Sequence, residues 1–157
     1  MRFVYDDGGR GAAGFKGHAG DCVARAIAIA SGRAYADIYS ALSSRAGAER
    51  KSRGASARNG IHTKRKWFKD YMAALGFAWT PTMRIGRGCT THLVKGELHT
   101  GRLVVSVSRH YTAVVDGVVH DTHDPQREET WHYPQPDGTT ITKVNRRCVY
   151  GYYRWRA

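Results

Sequence analysis

Ser108-Arg109-His110-Tyr111-Thr112-Ala113-Val114-Val115-Asp116-Gly117-Val118-Val119-His120-Asp121-Thr122 is the stretch that decides the fold. Asp-Gly between two Val-rich runs is a strong hairpin signal, because both central residues of a type I′ turn take positive φ. A two-residue turn at Asp116-Gly117 pairs Val115 with Val118, Val114 with Val119, Ala113 with His120 and Thr112 with Asp121. Cross-strand partners share a face, as do residues two apart on one strand. His110, Thr112 and Asp121 are therefore expected on one side and His120 on the other. A carboxylate diagonal to an imidazole accepts its ring N–H, fixes the tautomer and stabilises the charged ring. His123 shares the parity of His110 beyond the regular ladder, whereas Asp124 has the opposite parity in a Pro-terminated loop and ranks below Asp121.

Working outward, 103–107 reads as a further strand and 148–155 as a closing one. The closing strand carries Tyr153 and Trp155 on one face and Tyr150 and Tyr152 on the other, so its inward face is left open. The chain before the sheet reads as helical. Asp21 precedes the apolar run 22–31, which stops at Gly32; Asp is a good N-cap, its carboxylate complements the helix dipole, and a helix apolar on nearly every side is expected to be buried. Tyr35, Ile38, Tyr39 and Leu42 fall at i, i+3, i+4 and i+7 over 35–44. Trp67, Tyr71 and Leu75 form the stripe of a third helix over 63–75, capped by Gly76. Residues 1–20 read as a loop-like lead-in, 45–59 as a flexible connection, and 84–89 as a loop that could line a substrate groove. Helices over about 21–76 followed by a sheet over about 77–157 predict one α+β domain with helices packed on a C-terminal antiparallel sheet.

The chain has 157 residues, with 25 Lys and Arg against 13 Asp and Glu, a net charge of +12 and a pI near 10.0. This length suits one buried core, and 41% hydrophobic residues exclude wholesale disorder. No apolar run approaches the roughly 20 residues of a membrane span, and the N-terminus has no basic region followed by an apolar one. No membrane partner is expected. Cys22, Cys89 and Cys148 are an odd set without a CxxC pair, which predicts free thiols and a reducing, cytoplasmic setting.

Gly20-Asp21-Cys22-Val23-Ala24-Arg25-Ala26-Ile27-Ala28-Ile29-Ala30 puts a thiol in the first turn of a buried helix. There the dipole and unpaired N–H groups favour thiolate, and the same N–H groups can hold an oxyanion. The bland alternative is a small buried core residue. No metal is expected: Cys22, Cys89, Cys148, His18, His110, His120 and His123 include good zinc ligands, but they lack paired short-range spacing beyond the loose His120-His123. No cofactor motif is present, and the Gly-rich 84–89 stretch is no phosphate loop.

A helix-start Cys, a later strand His and an Asp on the next strand resemble papain-like cysteine peptidases. Asp21-Cys22 leading into an Ala/Ile helix, then His110-Tyr111 with a Val-rich hairpin and Asp121, looks like the bacteriocin-processing peptidase domains of ABC transporters. Asp21-Cys22, Arg25-Ala26-Ile27-Ala28, His110, Ala113-Val114, Asp116-Gly117, Asp121-Thr122 and Val149-Tyr150-Gly151-Tyr152 are also similar to small tailed-phage and prophage proteins, over most of the chain. The resemblance implies a papain-like fold, with Cys22 as nucleophile, His110 as general base and then acid, and Asp121 as orienting carboxylate. It implies a peptide or protein substrate and, for a phage-encoded protein, the host cytoplasm. Hydrolysis of a peptide or isopeptide bond is the default outcome; transglutamination, small-molecule amide hydrolysis or acetyl transfer would use the same residues. One departure stands out. The Gln that usually precedes the nucleophile is missing from Phe15-Lys16-Gly17-His18-Ala19-Gly20, leaving Lys16 and His18 as candidate oxyanion donors.

A non-catalytic basic binding protein of phage origin is the rival class. Arg50, Lys51, Arg53, Arg58, Lys64, Arg65 and Lys66, near Trp67 and Phe68, are candidate contacts to nucleic acid or an acidic host protein. Cations of this kind support non-specific phosphate binding, and neither a zinc-finger nor an RNA-recognition signature accompanies them.

Overall fold

The computed structural model describes residues 1–48 and 56–156. The first helix, α1 (Cys22–Ser31), has the bounds that the sequence predicts, and Gly32 ends it in the left-handed conformation at φ 69°, donating its N–H to Ala28. Seven of its residues from Val23 to Ala30 other than Ile29 are buried, as expected of a helix without a polar stripe. Helix α2 (Tyr35–Gly47) runs three residues past its predicted end at Ser44, with Tyr35, Ile38 and Leu42 inward. Helix α3 (Lys66–Ala74) begins three residues later than the predicted Thr63 and buries Phe68, Tyr71 and Met72.

The strands are β1 (Arg2–Tyr5), β2 (Phe77–Pro81), β3 (Met83–Arg84), β4 (Gly88–Cys89), β5 (Arg102–Val107), β6 (His110–Val115), β7 (Val118–Asp121), β8 (Glu128–Pro134), β9 (Thr140–Arg146) and β10 (Val149–Trp155). Six form one sheet in the order β1-β7-β6-β5-β10-β2. The β6–β7 register is Ala113 to His120, Val114 to Val119 and Val115 to Val118. Asp116 and Gly117 take φ of 48° and 77°, the positive pair of a type I′ turn.

Architecture is thus α+β, with two corrections to the sequence expectation. The sheet is mixed rather than antiparallel, because β1 pairs with β7 in parallel. This edge strand has four residues, none fully buried, so it lacks the alternation by which strands are recognised. The 84–89 stretch is also no plain loop: β3 and β4 pair through Met83–Cys89 and Arg84–Gly88. A separate two-stranded ribbon, β8 with β9, was likewise not foreseen; its strands are exposed throughout, so no buried face marks them in the sequence.

Both faces of the main sheet are covered, which resolves the aromatics on both sides of β10. One face packs Val104, Ala113 and Tyr153 against the three helices. The other packs Leu103, Val105, Val107, Val114 and Tyr152 with Leu93, and with the half-buried Phe3 and Leu98. A shift of register between Val149 and Gly151 lets β10 fit β5.

A third correction concerns the cysteines. Cys89 and Cys148 form a disulfide across 59 positions, leaving Cys22 as the free thiol. Three free thiols, the premise of the cytoplasmic expectation, do not hold. Each partner sits alone in its local sequence, so only the approach of β4 to the start of β10 reveals the pair. Among the described residues no helix is long and apolar enough to cross a membrane.

Candidate active site

Cys22 opens α1, His110 opens β6 and Asp121 ends β7. The three elements pack together: α1 lies on the sheet over β5, β6 and β7, so the helix start reaches the ends of the hairpin strands. His110 Nε2 stands 2.6 Å from Asp121 Oδ2. Cys22 lies near enough for its sulfur to favour the charged ring, and Cys22 and His110 line the same two clefts. His120 faces elsewhere, as its parity predicts, with Nδ1 3.1 Å from Asp6 Oδ2.

Charge fixes the state of this trio. Burial works against an imidazolium at His110, but the hydrogen bond to Asp121, the neighbouring Cys22 sulfur and the charges of both groups prevail and push its pKa up to about 9. Burial likewise raises Asp121, yet the His110 hydrogen bond and charge, with the Thr122 N–H, hold its carboxyl below the ordinary range. Thr122 N donates to Asp121 Oδ1 at 2.7 Å. The carboxylate is therefore anionic and the ring cationic across neutral pH.

Asp21 departs from its predicted role. It occupies the N-cap position but makes no side-chain cap bond. Its carboxylate turns inward to Arg25 and to the Tyr35 hydroxyl, and forms an ion pair with Arg10, Nε 3.0 Å from Oδ2. Arg25 in turn lies 3.8 Å from Asp121 Oδ1, so charges alternate from Arg10 through Asp21, Arg25 and Asp121 to His110. With the cap bond unmade, the N–H groups of Cys22, Val23 and Ala24 have no intrahelical partner, since the first return bond is Arg25 N–H to Asp21 O. Those donors are what an oxyanion needs.

Two clefts meet at Cys22 and His110. One, about 740 Å³, is the more polar of the two and includes His18, Asn59 and His123. The other, about 960 Å³, is mainly apolar. Of the two predicted oxyanion donors, His18 lines the polar cleft with Cys22, whereas Lys16 lines neither. Lys16 is exposed, and its carbonyl accepts from Arg10 Nη2 at 3.1 Å. Asn59 is a side-chain amide in the polar cleft that the sequence expectation missed. It sits in a short turn closed by the Ser56–Gly60 bridge, within a stretch that read as featureless linker.

Ligand atoms of His110, Asp121 and His123 lie within 4.8 Å of one another. A metal does not suit the inner pair, however. The 2.6 Å His110–Asp121 spacing is a hydrogen-bond distance, whereas two ligands each about 2.0–2.2 Å from one zinc ion stand more than about 3 Å apart. Asp124 is engaged in its own loop with Gln126. Of the candidate cations, Arg58, Lys64, Arg65 and Lys66 are exposed, with Lys66 paired to Asp70 at 2.6 Å. Arg50, Lys51 and Arg53 lie outside the described residues.

No protein-family model, no curated protein and no solved structure matches this chain.

Proposed function

We propose that this chain is a thiol acyl-transfer enzyme of the cysteine-peptidase type, papain-like in arrangement and acting on a peptide or isopeptide bond. A single observation carries it: Cys22, His110 and Asp121, from three separate elements, converge where two clefts meet, with His110 hydrogen-bonded to Asp121 and Cys22 lining both clefts beside the ring. A structural cysteine has no need of an imidazole held cationic beside it.

Cys22 as thiolate attacks the carbonyl carbon, and a new C–S bond forms as the C–O π electrons move to oxygen. The first-turn N–H groups of α1, with Asn59 or His18 at the side, receive that oxyanion. On collapse the C–N bond breaks and His110 gives its proton to the leaving amine. Water, losing a proton to His110, then opens the thioester and returns the thiolate. Asp121 keeps the ring oriented and charged throughout, remaining a carboxylate.

Alkylation of the native protein tests this. At pH 6 an isolated thiol, with a pKa of about 8.5, is almost wholly protonated and slow to react. Iodoacetamide is expected to label Cys22 rapidly at that pH in the wild type and slowly in His110→Ala. Equal, slow labelling of both proteins would rule the enzyme out. A salt-sensitive DNA complex surviving Cys22→Ala would then favour the basic binding module.

A further inference from the structure

The mainly apolar cleft beside Cys22 is formed where Ile61 and Phe77 meet Trp79, Met83 and Tyr150. Trp79, Met83 and Tyr150 are each about two-fifths exposed, a contiguous apolar surface of the kind that marks a binding site. Its wall is built to stay in place. Trp79 packs on Tyr153 with ring centroids 4.7 Å apart and lies over Gly151, where a Cβ would overlap its ring. The Cys89–Cys148 disulfide ties the β3–β4 pair, which carries Met83, to the strand that carries Tyr150.

The rim is cationic. Lys64, Lys69 and Arg109 line it, and among its described lining residues there is no carboxylate. On a protein of net charge +12 such an opening concentrates anionic groups. Resting on the acyl-transfer reading above, we propose that this cleft binds a peptide segment with a bulky aromatic side chain flanked by carboxylates. The ring occupies the Phe77–Trp79–Tyr150 wall, the acids meet Lys64, Lys69 and Arg109, and the adjoining peptide bond lies at Cys22. The polar cleft across the thiol, with Asp7 and Asp21 among Arg10 and Arg25, lacks this one-signed rim.

Binding is measured on Cys22→Ala protein, where no turnover occurs. Calorimetry compares N-acetylated, C-amidated Asp-Phe-Glu with Asp-Ala-Glu and Lys-Phe-Lys. Asp-Phe-Glu is expected to bind at least about tenfold more tightly than either, given the apolar area of a phenyl ring and the charge of the rim. Trp79→Ala in the same background is expected to abolish that preference for Phe. Lys64→Gln with Lys69→Gln is expected to weaken Asp-Phe-Glu several-fold and flatten its salt dependence. Three peptides of equal affinity, or a Phe preference that survives Trp79→Ala, would overturn the proposal. So would a short oligothymidylate that binds in their place. None of these outcomes depends on a reactive thiol, which wild-type alkylation examines separately.

Discussion

Removing the Asp121 carboxylate while keeping its shape, as in Asp121→Asn, tests the electrostatics of the site directly. His110 is pushed from an ordinary 6.5 up to about 9. A difference of about 2.5 units corresponds to roughly 3 kcal/mol favouring the charged ring, an upper figure because the ring is not fully shielded from water. The hydrogen bond to Asp121 is the foremost contribution opposing burial, with Cys22 second. Asp121→Asn is therefore expected to lower the His110 midpoint by more than about one unit. In Cys22→Ala/Asp121→Asn only burial remains among these causes, so the midpoint is expected to fall below 6.5. Titration of the ring proton signals by NMR reads this, with His110→Gln identifying the resonance among eight histidines. A wild-type midpoint near 6.5, or one unmoved by Asp121→Asn, would refute the reasoning. The sign carries into stability. A folded-state pKa above the unfolded value contributes stability fully present below about 6.5 and lost as pH rises through about 9. Denaturant midpoints should therefore fall more steeply between pH 6.5 and 9 in the wild type than in His110→Gln.

Arg25→Met is expected to destabilise the fold by about 3–5 kcal/mol in urea titration, because it strips a cation from two buried carboxylates, Asp21 and Asp121; Arg25→Lys should recover part of that. Opening the Cys89–Cys148 bridge by Cys89→Ser with Cys148→Ser should cost up to about 4 kcal/mol in the chain-entropy model for a 59-residue separation, measured with Cys22→Ala as the background. Gly117→Ala, at φ 77°, should cost about 1–2 kcal/mol in thermal or chemical unfolding, since a side chain is strained in that left-handed conformation; no loss would argue against the type I′ turn.

Local signals determined much of this protein before any tertiary contact entered. An Asp-Gly turn demands positive φ at both positions, which set the hairpin register and put His110 and Asp121 in reach of one another. An apolar run after Asp21, interrupted only by Arg25, required a buried helix, which put Cys22 at its first turn. What depended on distant partners was not legible. β1 has no alternation of its own and exists because β7 offers an open edge. Cys89 and Cys148 carry no spacing signature, Asn59 lay in an unpatterned stretch, and the cleft draws its wall from α3, β2, β3 and β10 together. Asp21 shows the division within one side chain. Its position before a helix favours a cap, but a buried carboxylate takes the strongest donors in reach, and only packing brought Arg10, Arg25 and Tyr35 around it.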